Sequence, residues 1–471
     1  MKSKLFKNLS ANTLQLAINQ LAGLAIFYLL STGLDKSGFG LLNLALAILM
    51  MAFNLLSFGI DQVSIRKIAS GEDSGEVISL YLSHVVLTGL MFYGLLLLAY
   101  WLAPTNTGFF PLLLLVGAGK LMIYFSTPFK QAASGLERFR LLAAMLLVSN
   151  LVRCLALTVL AILHLISLRN AAIVFIAGDV LELIINVVIF SRSTRVPFRL
   201  MWHRQKYAAL LREALPQTGV NLLTSAMARF DWVFIGLMAS AVKLAEYSFA
   251  YKVFEMSTLP LLAIAPLLIP RFTKMFKHDA VDTTSLTTLF RAEMVVAAFT
   301  SLVLNVLWSP LIDGVTAGKY GAVNSLTLFI LTLCIPFLYL NNFLWTIFFA
   351  KDEMKMILKG FVITFTVNAV LDMVLIPLFG NPGAAFGFLA SCIVQAAFYI
   401  SQNQIKALNP IWQNLALCTT CALFSGFAAK QLGLNCWLAL ALATLLYVLL
   451  LFLSRQLKPG DAAVARAAFT A

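Results

Sequence analysis

Residues 79–103 read SLYLSHVVLTGLMFYGLLLLAYWLA, and this stretch contains no Asp, Glu, Lys or Arg. A helix needs about 20 predominantly apolar residues to cross a bilayer. The strands of a membrane barrel would instead alternate apolar and polar residues over about ten positions. The stretch is long, continuous and free of that alternation, so it predicts a transmembrane helix.

Segments of the same kind recur along the whole chain, which has 471 residues, 61% of them hydrophobic and 11% charged. A soluble domain is about 45–50% apolar and about 25% charged, so the composition excludes a water-soluble globular protein. The sequence predicts an all-α polytopic membrane protein with fourteen transmembrane helices. The predicted spans are 12–31, 40–60, 79–103, 110–129, 141–166, 171–190, 213–238, 247–269, 292–309, 326–350, 361–379, 383–400, 412–429 and 435–454.

The net charge of +14 reports the orientation of these spans. In a soluble protein such a charge would suggest a nucleic-acid partner. With a cytoplasmic N-terminus, however, the cytoplasmic segments hold 25 Lys and Arg residues, whereas the outside connections hold five. This bias follows the positive-inside rule and predicts that both termini are cytoplasmic. The sequence therefore predicts membrane lipids as surroundings and no nucleic-acid partner.

The sequence lacks the signals that are typical of several other functional classes. No connection between predicted spans exceeds about 25 residues, which leaves no room for a soluble catalytic or nucleotide-binding domain. The string GAGK at 117–120 lacks the first Gly and the Ser or Thr of a phosphate loop. The four His have no metal-ligand spacing, and the one CxxC, formed by Cys418 and Cys421, lies in a span without a second ligand pair. We expect a protein that is not an enzyme and has no catalytic residues, cofactor or metal site.

A weak internal repeat divides the chain. NAAIVFIAGD at 170–179 matches GAAFGFLASC at 383–392. The predicted parts are an N-terminal lobe at 1–212, a C-terminal lobe at 213–403, and two last helices with a tail at 404–471. Two six-helix lobes keep the same orientation, which gives a parallel pseudo-repeat. Many secondary transporters have such repeats, with the site between the halves near the middle of the membrane.

Four stretches carry a resemblance to a known family. They are FGIDQVSIRKIAS at 58–70, ASGLERFR at 133–140, MARFDWVFIGLMAS at 227–240 and VNAVLDMVLIPLFGNPGAAFG at 367–387. In this order they resemble the polysaccharide (O-antigen, Wzx-type) flippase family of the multidrug/oligosaccharidyl-lipid/polysaccharide exporter superfamily. The chain departs from the family at Asp372, where a second Asn is usual.

This resemblance implies a secondary transporter of the bacterial cytoplasmic (inner) membrane. It would flip polyprenyl-pyrophosphate-linked oligosaccharide units by alternating access, for O-antigen, lipopolysaccharide or other surface polysaccharide biosynthesis. A coupling proton or sodium ion and the polysaccharide polymerase machinery are its implied partners. A multidrug exporter (antiporter) of the same superfamily stays open as an alternative. A membrane-integral enzyme would normally need a longer outside loop.

Nine Asp, Glu, Lys and Arg residues lie well inside the predicted spans, away from the span ends. A charge there costs about 2.5–3.5 kcal/mol on insertion scales, so each must face protein or a hydrated pathway. The cations are the candidates for holding the diphosphate: Lys120, Arg153, Arg229 and Lys252. The acids are the candidates for ion coupling: Asp179, Glu182, Asp231, Glu255 and Asp372. The alternative for every one of these residues is an ion pair that holds helices together.

Spacing distinguishes the acids. Asp179 and Glu182 are three residues apart, which places both carboxylates on one helix face and suits the carriage of a proton or cation. Lys252 and Glu255 have the same spacing and could neutralise each other. Arg229 and Asp231 are two residues apart and should point in different directions, so each needs another partner.

Overall fold

The computed structural model describes residues 2–102, 108–277, 283–405, 408 and 410–458, and these residues contain helices and turns but no β-strand. The sixteen α-helices are α1 Lys2–Gly33, α2 Lys36–Leu56, α3 Ile60–Ala69, α4 Ser74–Leu102, α5 Phe109–Gly135, α6 Phe139–Ile162, α7 Leu168–Thr194, α8 Arg204–Phe234, α9 Ala241–Ser257, α10 Leu259–Lys277, α11 Thr283–Thr316, α12 Ser325–Ala350, α13 Met354–Phe379, α14 Asn381–Gln402, α15 Ile411–Gln431 and α16 Cys436–Leu453.

Every predicted span falls on this helical framework. The eighth, 247–269, is divided, because α9 ends at Ser257 and α10 begins at Leu259. Pro260 is the second residue of α10, where its missing N–H costs no helical hydrogen bond. Ten helices in the described part of the chain are long and apolar enough to cross a bilayer. The chain is therefore a multi-pass membrane protein, and the number fourteen stays a prediction.

The helices form two compact units. The first unit is Met1–Gly236 with Ser240–Ala245, and the second is Leu237–Ala239 with Glu246–Ala471. In the first, α5 packs against α4 and α7, α1 against α6, and α2 against α8. In the second, α14 packs against α12 and α13, and α11 packs against α12 and α15. The predicted boundaries at residues 212 and 403 stay predictions.

The repeated alanines lie at similar places in the two units. Ala171 and Ala172 are fully buried near the start of α7, and Ala384 and Ala385 are fully buried near the start of α14. Small side chains at these points allow close approach of a neighbouring helix. The burial pattern agrees with the repeat that the sequence indicates.

The motif at 58–70 forms a short helix that the hydropathy pattern does not separate from its neighbours. Gly59 has a left-handed conformation with φ 70°, and α3 begins at the next residue. Glycine has no Cβ and therefore adopts this turn without strain. Arg66 of α3 donates a hydrogen bond to Glu213 of α8 over 2.6 Å. The motif thus turns the chain and holds α3 against α8.

The basic segment after α7 lies along α4. The backbone N–H groups of Arg199 and Met201 donate to the hydroxyls of Ser79 and Ser83 over 3.1 and 2.8 Å. Between these two anchors and α7, the Phe198 ring packs against other buried aromatic rings of the unit. This connection, which the sequence marks only as a basic linker, is a fixed part of the first unit.

Candidate functional site

Five charged side chains from three helices meet inside the first unit. Helix α5 supplies Lys120 and Lys130, α6 supplies Arg153, and α7 supplies Asp179 and Glu182. We call these five residues the charge network. Arg153, Asp179 and Glu182 are buried, with exposed fractions of 6%, 0% and 4%. Three cations thus face two carboxylates in an interior that otherwise consists of apolar helices.

Asp179 binds two of the predicted cations. Its Oδ2 lies 3.1 Å from the Lys120 Nζ, and its Oδ1 contacts the Arg153 guanidinium. Two glycines make room for this arrangement. A Cβ at Gly119 would lie 2.7 Å from Asp179 Oδ2, and a Cβ at Gly178 would lie 2.7 Å from Arg153 Cγ. Gly119 of the GAGK string therefore serves helix packing around a carboxylate.

Glu182 binds a cation that the sequence does not predict as part of the site. Its Oε1 accepts a hydrogen bond from Lys130 Nζ over 2.9 Å, and its Oε2 lies 3.7 Å from Arg153 Nη2. The predicted fourth span ends at residue 129, so Lys130 counts there as a cytoplasmic residue. Helix α5 continues to Gly135 and keeps Lys130 within the helix. A prediction that the helix continues beyond the apolar run would have included Lys130 in the site.

Aromatic and amide groups surround the two central cations. Lys120 Nζ and Arg153 Cζ lie 5.2 and 5.5 Å from the centroid of the Phe175 ring, within the range of cation–π attraction. Arg153 Nη1 donates to Asn150 Oδ1 over 3.2 Å. Asn150 in turn donates to Asn19 of α1 over 2.8 Å. These contacts fix the cations in place and connect α1 to the network.

A cavity of about 390 Å³ lies beside the network in the same unit. Its volume is within the range of about 300–1,000 Å³ that ligand pockets have. Apolar side chains of α2 and α5 form most of its wall, and two charged residues, Lys120 and Asp61, also line it. Hydrogen-bonding groups on the wall include Asn54, Thr127 and Gln131. Lys120 thus belongs both to the charge network and to the surface of a cavity.

The other two predicted cations have partners of their own. Arg229 stacks over the Trp232 ring with its Cζ 4.4 Å from the centroid. Lys252 Nζ lies 2.7 Å from Glu255 Oε2 on α9, which confirms that these neighbours pair. Lys120 and Arg153 share Asp179, whereas Lys252 is held by a different carboxylate.

Asp231 and Asp372 are the remaining predicted acids. Asp231 is 7% exposed, and its Oδ1 accepts the backbone N–H of Trp232 over 2.8 Å. Asp372 is fully buried, and its Oδ2 accepts from Asn368 Nδ2 over 2.7 Å. A Cβ at Gly387 would lie 2.5 Å from Asp372 Oδ1, so α14 approaches α13 closely at this carboxylate.

The sequence model of the family described as polysaccharide biosynthesis protein matches residues 5–276, which is more than half of the chain. No curated protein sequence matches the chain significantly.

Solved structures share the fold at low sequence identity. Lipid II flippase MurJ in an inward closed conformation has a TM-score of 0.73 and 13% identity, covering 94% of this chain and 98% of that one. An inward-facing multidrug resistance MATE family transporter of the MOP superfamily has a TM-score of 0.62 and 14% identity, covering 86% and 98%. The Vibrio cholerae MATE transporter VcmN has a TM-score of 0.57 and 17% identity, also covering 86% and 98%. The chain belongs to the polysaccharide biosynthesis protein family, and its fold is that of the MurJ flippase and the MATE transporters.

Proposed function

We propose that this protein is a secondary transporter that flips polyprenyl-pyrophosphate-linked oligosaccharide units across the membrane for surface polysaccharide biosynthesis. The family and the MurJ-like fold support a flippase. The buried cations support a substrate that carries phosphate. The observation that carries the proposal is the position of Lys120, which joins a buried charge network to the wall of a 390 Å³ cavity.

Lys120 is suited to exchange its partner. Its side chain is 19% exposed, whereas Asp179 is fully buried and also contacts Arg153. If a diphosphate oxygen replaces Asp179 as the partner of Lys120, Asp179 keeps the Arg153 guanidinium and no buried charge is left alone. A charge-assisted hydrogen bond to phosphate is roughly twice as strong as a neutral one. The exchange is therefore a low-cost way to bind and release an anionic head group.

The cavity wall also suits a sugar. Amide and hydroxyl groups of Asn54, Thr127 and Gln131 can bond sugar hydroxyls. Apolar surface with a small number of polar groups is the usual composition of a ligand site. The remaining predicted cations, Arg229 and Lys252, are proposed to contact the diphosphate at other stages of transport.

Ion coupling is proposed for two of the five predicted acids. Asp179, Glu182 and Glu255 each lie in an ion pair with a cation, which favours holding helices together. Asp372 and Asp231 are buried carboxylates that accept hydrogen bonds from neutral N–H groups of Asn368 and Trp232. We assign the binding of a coupling proton or sodium ion to them.

The proposed location is the bacterial cytoplasmic membrane, with both termini in the cytoplasm. The excess of Lys and Arg in alternate connections supports this orientation. Units flipped to the outer leaflet would then be passed to a polysaccharide polymerase. O-antigen of lipopolysaccharide is one product class that this route supplies.

A multidrug exporter is the second candidate, because MATE transporters share the fold. Lys120 on the cavity wall favours an anionic substrate, whereas Asp61 on the same wall is the observation that favours a cationic drug.

Reconstitution into liposomes tests the choice. The purified protein should move a fluorescent polyprenyl-diphosphate oligosaccharide between leaflets and should not move a cationic dye. Dye efflux without lipid movement would overturn the proposal in favour of the exporter. Arg153→Ala should abolish surface polysaccharide in cells while the protein remains in the membrane, and full activity of that variant would remove the network from the mechanism.

A further inference from the structure

Glu293 of α11 is a buried carboxyl in the second unit that lies outside the charge pairs described above. Its exposed fraction is 6%, and its neighbours Phe290, Met294 and Ala297 are buried apolar residues. The Oε2 atom has no hydrogen-bond partner among the residues that the structure describes. The predicted ninth span begins at 292, so the sequence places this residue at the edge of a span and does not mark it as buried.

A second buried polar group lies on the facing helix. Tyr339 of α12 is fully buried, and its hydroxyl likewise has no hydrogen-bond partner in the described part of the chain. It lies near enough to Glu293 for the two groups to interact electrostatically. Native interiors leave few buried polar atoms unsatisfied, so two on facing helices require an explanation.

Within the described ranges, the helices that pack against α11 bring no cation to this position. Helices α12, α15 and α16 carry seven ionisable side chains: Cys334, Tyr339, Cys418, Cys421, Lys430, Cys436 and Tyr447. The cation among them, Lys430, lines a groove together with Asn305. Asn305 is twelve residues beyond Glu293, about 18 Å along the helix.

The cation of α11 itself, Arg291, does not share the direction of Glu293. Arg291, two residues before Glu293, acts electrostatically on Cys418 of α15. Residues two apart on a helix point in different directions. Tyr447 of α16 donates its hydroxyl to the backbone carbonyl of Val295, so it does not serve the carboxyl.

An ionised carboxylate in such surroundings costs several kcal/mol unless a cation or hydrogen-bond donors compensate it. A protonated carboxyl avoids that cost. We propose that Glu293 is a proton-binding site of the second unit, occupied while α11 packs against α12 and emptied when that packing opens to water. This inference deepens the proposed function and rests on it for the role of the proton in transport.

Infrared spectroscopy tests proton binding without any transported substrate. Gln has the shape of a neutral Glu, so Glu293→Gln should keep the fold. Subtracting its spectrum at neutral pH from that of the wild type should leave the C=O stretching band of a protonated carboxylic acid. The matched control Glu353→Gln, at a partly exposed residue of the same unit, should leave no such band. Absence of the band for Glu293→Gln would overturn the proposal.

Transport then tests the role of the proton. In liposomes, Glu293→Gln should move lipid-linked oligosaccharide at a rate that responds less to an imposed pH gradient than the wild-type rate does, whereas Glu353→Gln should respond as the wild type does. Tyr339→Phe should shift the pH at which the infrared band disappears. An unchanged gradient response in Glu293→Gln would refute coupling through this residue. A wild-type protein that moves no lipid would refute the flippase function, and the infrared band would still decide whether Glu293 carries the proton.

Discussion

At the scale of single residues, Asp179 shows which properties of a buried charge the sequence predicts and which it does not. Its presence in an apolar helix and its spacing from Glu182 can be read in the sequence, and both indicate a carboxylate facing protein or water. The identity of its partners cannot be read in the sequence, because Lys120 and Arg153 belong to two other helices whose rotation is set by packing. The structure shows that the two carboxylates share one face, as predicted, and that both are compensated by cations.

Removing the Asp179 charge should be costly. Asp179→Asn leaves the buried Arg153 guanidinium without its main anionic partner, and breaking one side of a buried pair costs about 3–5 kcal/mol. We expect a correspondingly lower denaturation midpoint for the purified protein in detergent. The double variant Asp179→Leu with Arg153→Met should be more stable than Asp179→Asn. Equal stability of wild type and Asp179→Asn would contradict the pairing.

Gly119 offers a test of the close approach to Asp179. In Gly119→Ala the added Cβ would lie 2.7 Å from Asp179 Oδ2, and that carboxylate is held by two cations. Overpacking of this kind costs about 1–3 kcal/mol. Gly117→Ala is the matched control on the same helix, because its Cβ would meet Leu49 at 3.4 Å. Thermal unfolding should separate the two variants, and equal melting temperatures would argue against the geometry.

At the scale of elements, apolar length located the helices well and their ends poorly. Residues 79–102 of the predicted third span lie on α4, but α5 extends past the predicted end of the fourth span and brings Lys130 into the network. Helix α3 was missed because ten residues with a charged end give no apolar run. The sequence did not mark Glu293 as buried, because it lies at the edge of the predicted span. Helix α11 begins nine residues earlier, which places Glu293 inside the helix. Whether a charged residue near the end of a span is buried or exposed can be decided only when the packing of the helices is known.

The segment between α7 and α8 gives an element-scale prediction. In the variant Ser79→Ala with Ser83→Ala, the backbone N–H groups of Arg199 and Met201 lose their acceptors, at about 1 kcal/mol each. Hydrogen exchange of these two amides should become faster while the helices stay protected. Ser126→Ala is the control, because its hydroxyl bonds within α5. Unchanged exchange at residues 199 and 201 would show that the segment is held by other contacts.

At the scale of the whole molecule, we interpret the charge of +14 as a consequence of the orientation of the spans, which stays a prediction. Arg169 and Arg195 are exposed residues at opposite ends of α7, so they form a matched pair for testing it. In a cysteine-free background, Arg169→Cys should react with a membrane-impermeant maleimide in intact cells. Arg195→Cys should react only after the membrane is permeabilised. The reverse pattern would place the termini outside.

The central claim is that Lys120 links the buried charge network to an anionic head group in the cavity. The most direct measurement is the rate of polyprenyl-diphosphate oligosaccharide flipping in liposomes for the wild type, Lys120→Gln and Lys430→Gln, where Lys430 is a lysine of the second unit at the end of α15. A hydrogen bond to a charged group contributes about 1.5–3 kcal/mol, so Lys120→Gln should lower the rate by about tenfold or more. Lys430→Gln should flip at the wild-type rate. Flipping by Lys120→Gln at the wild-type rate would contradict the account.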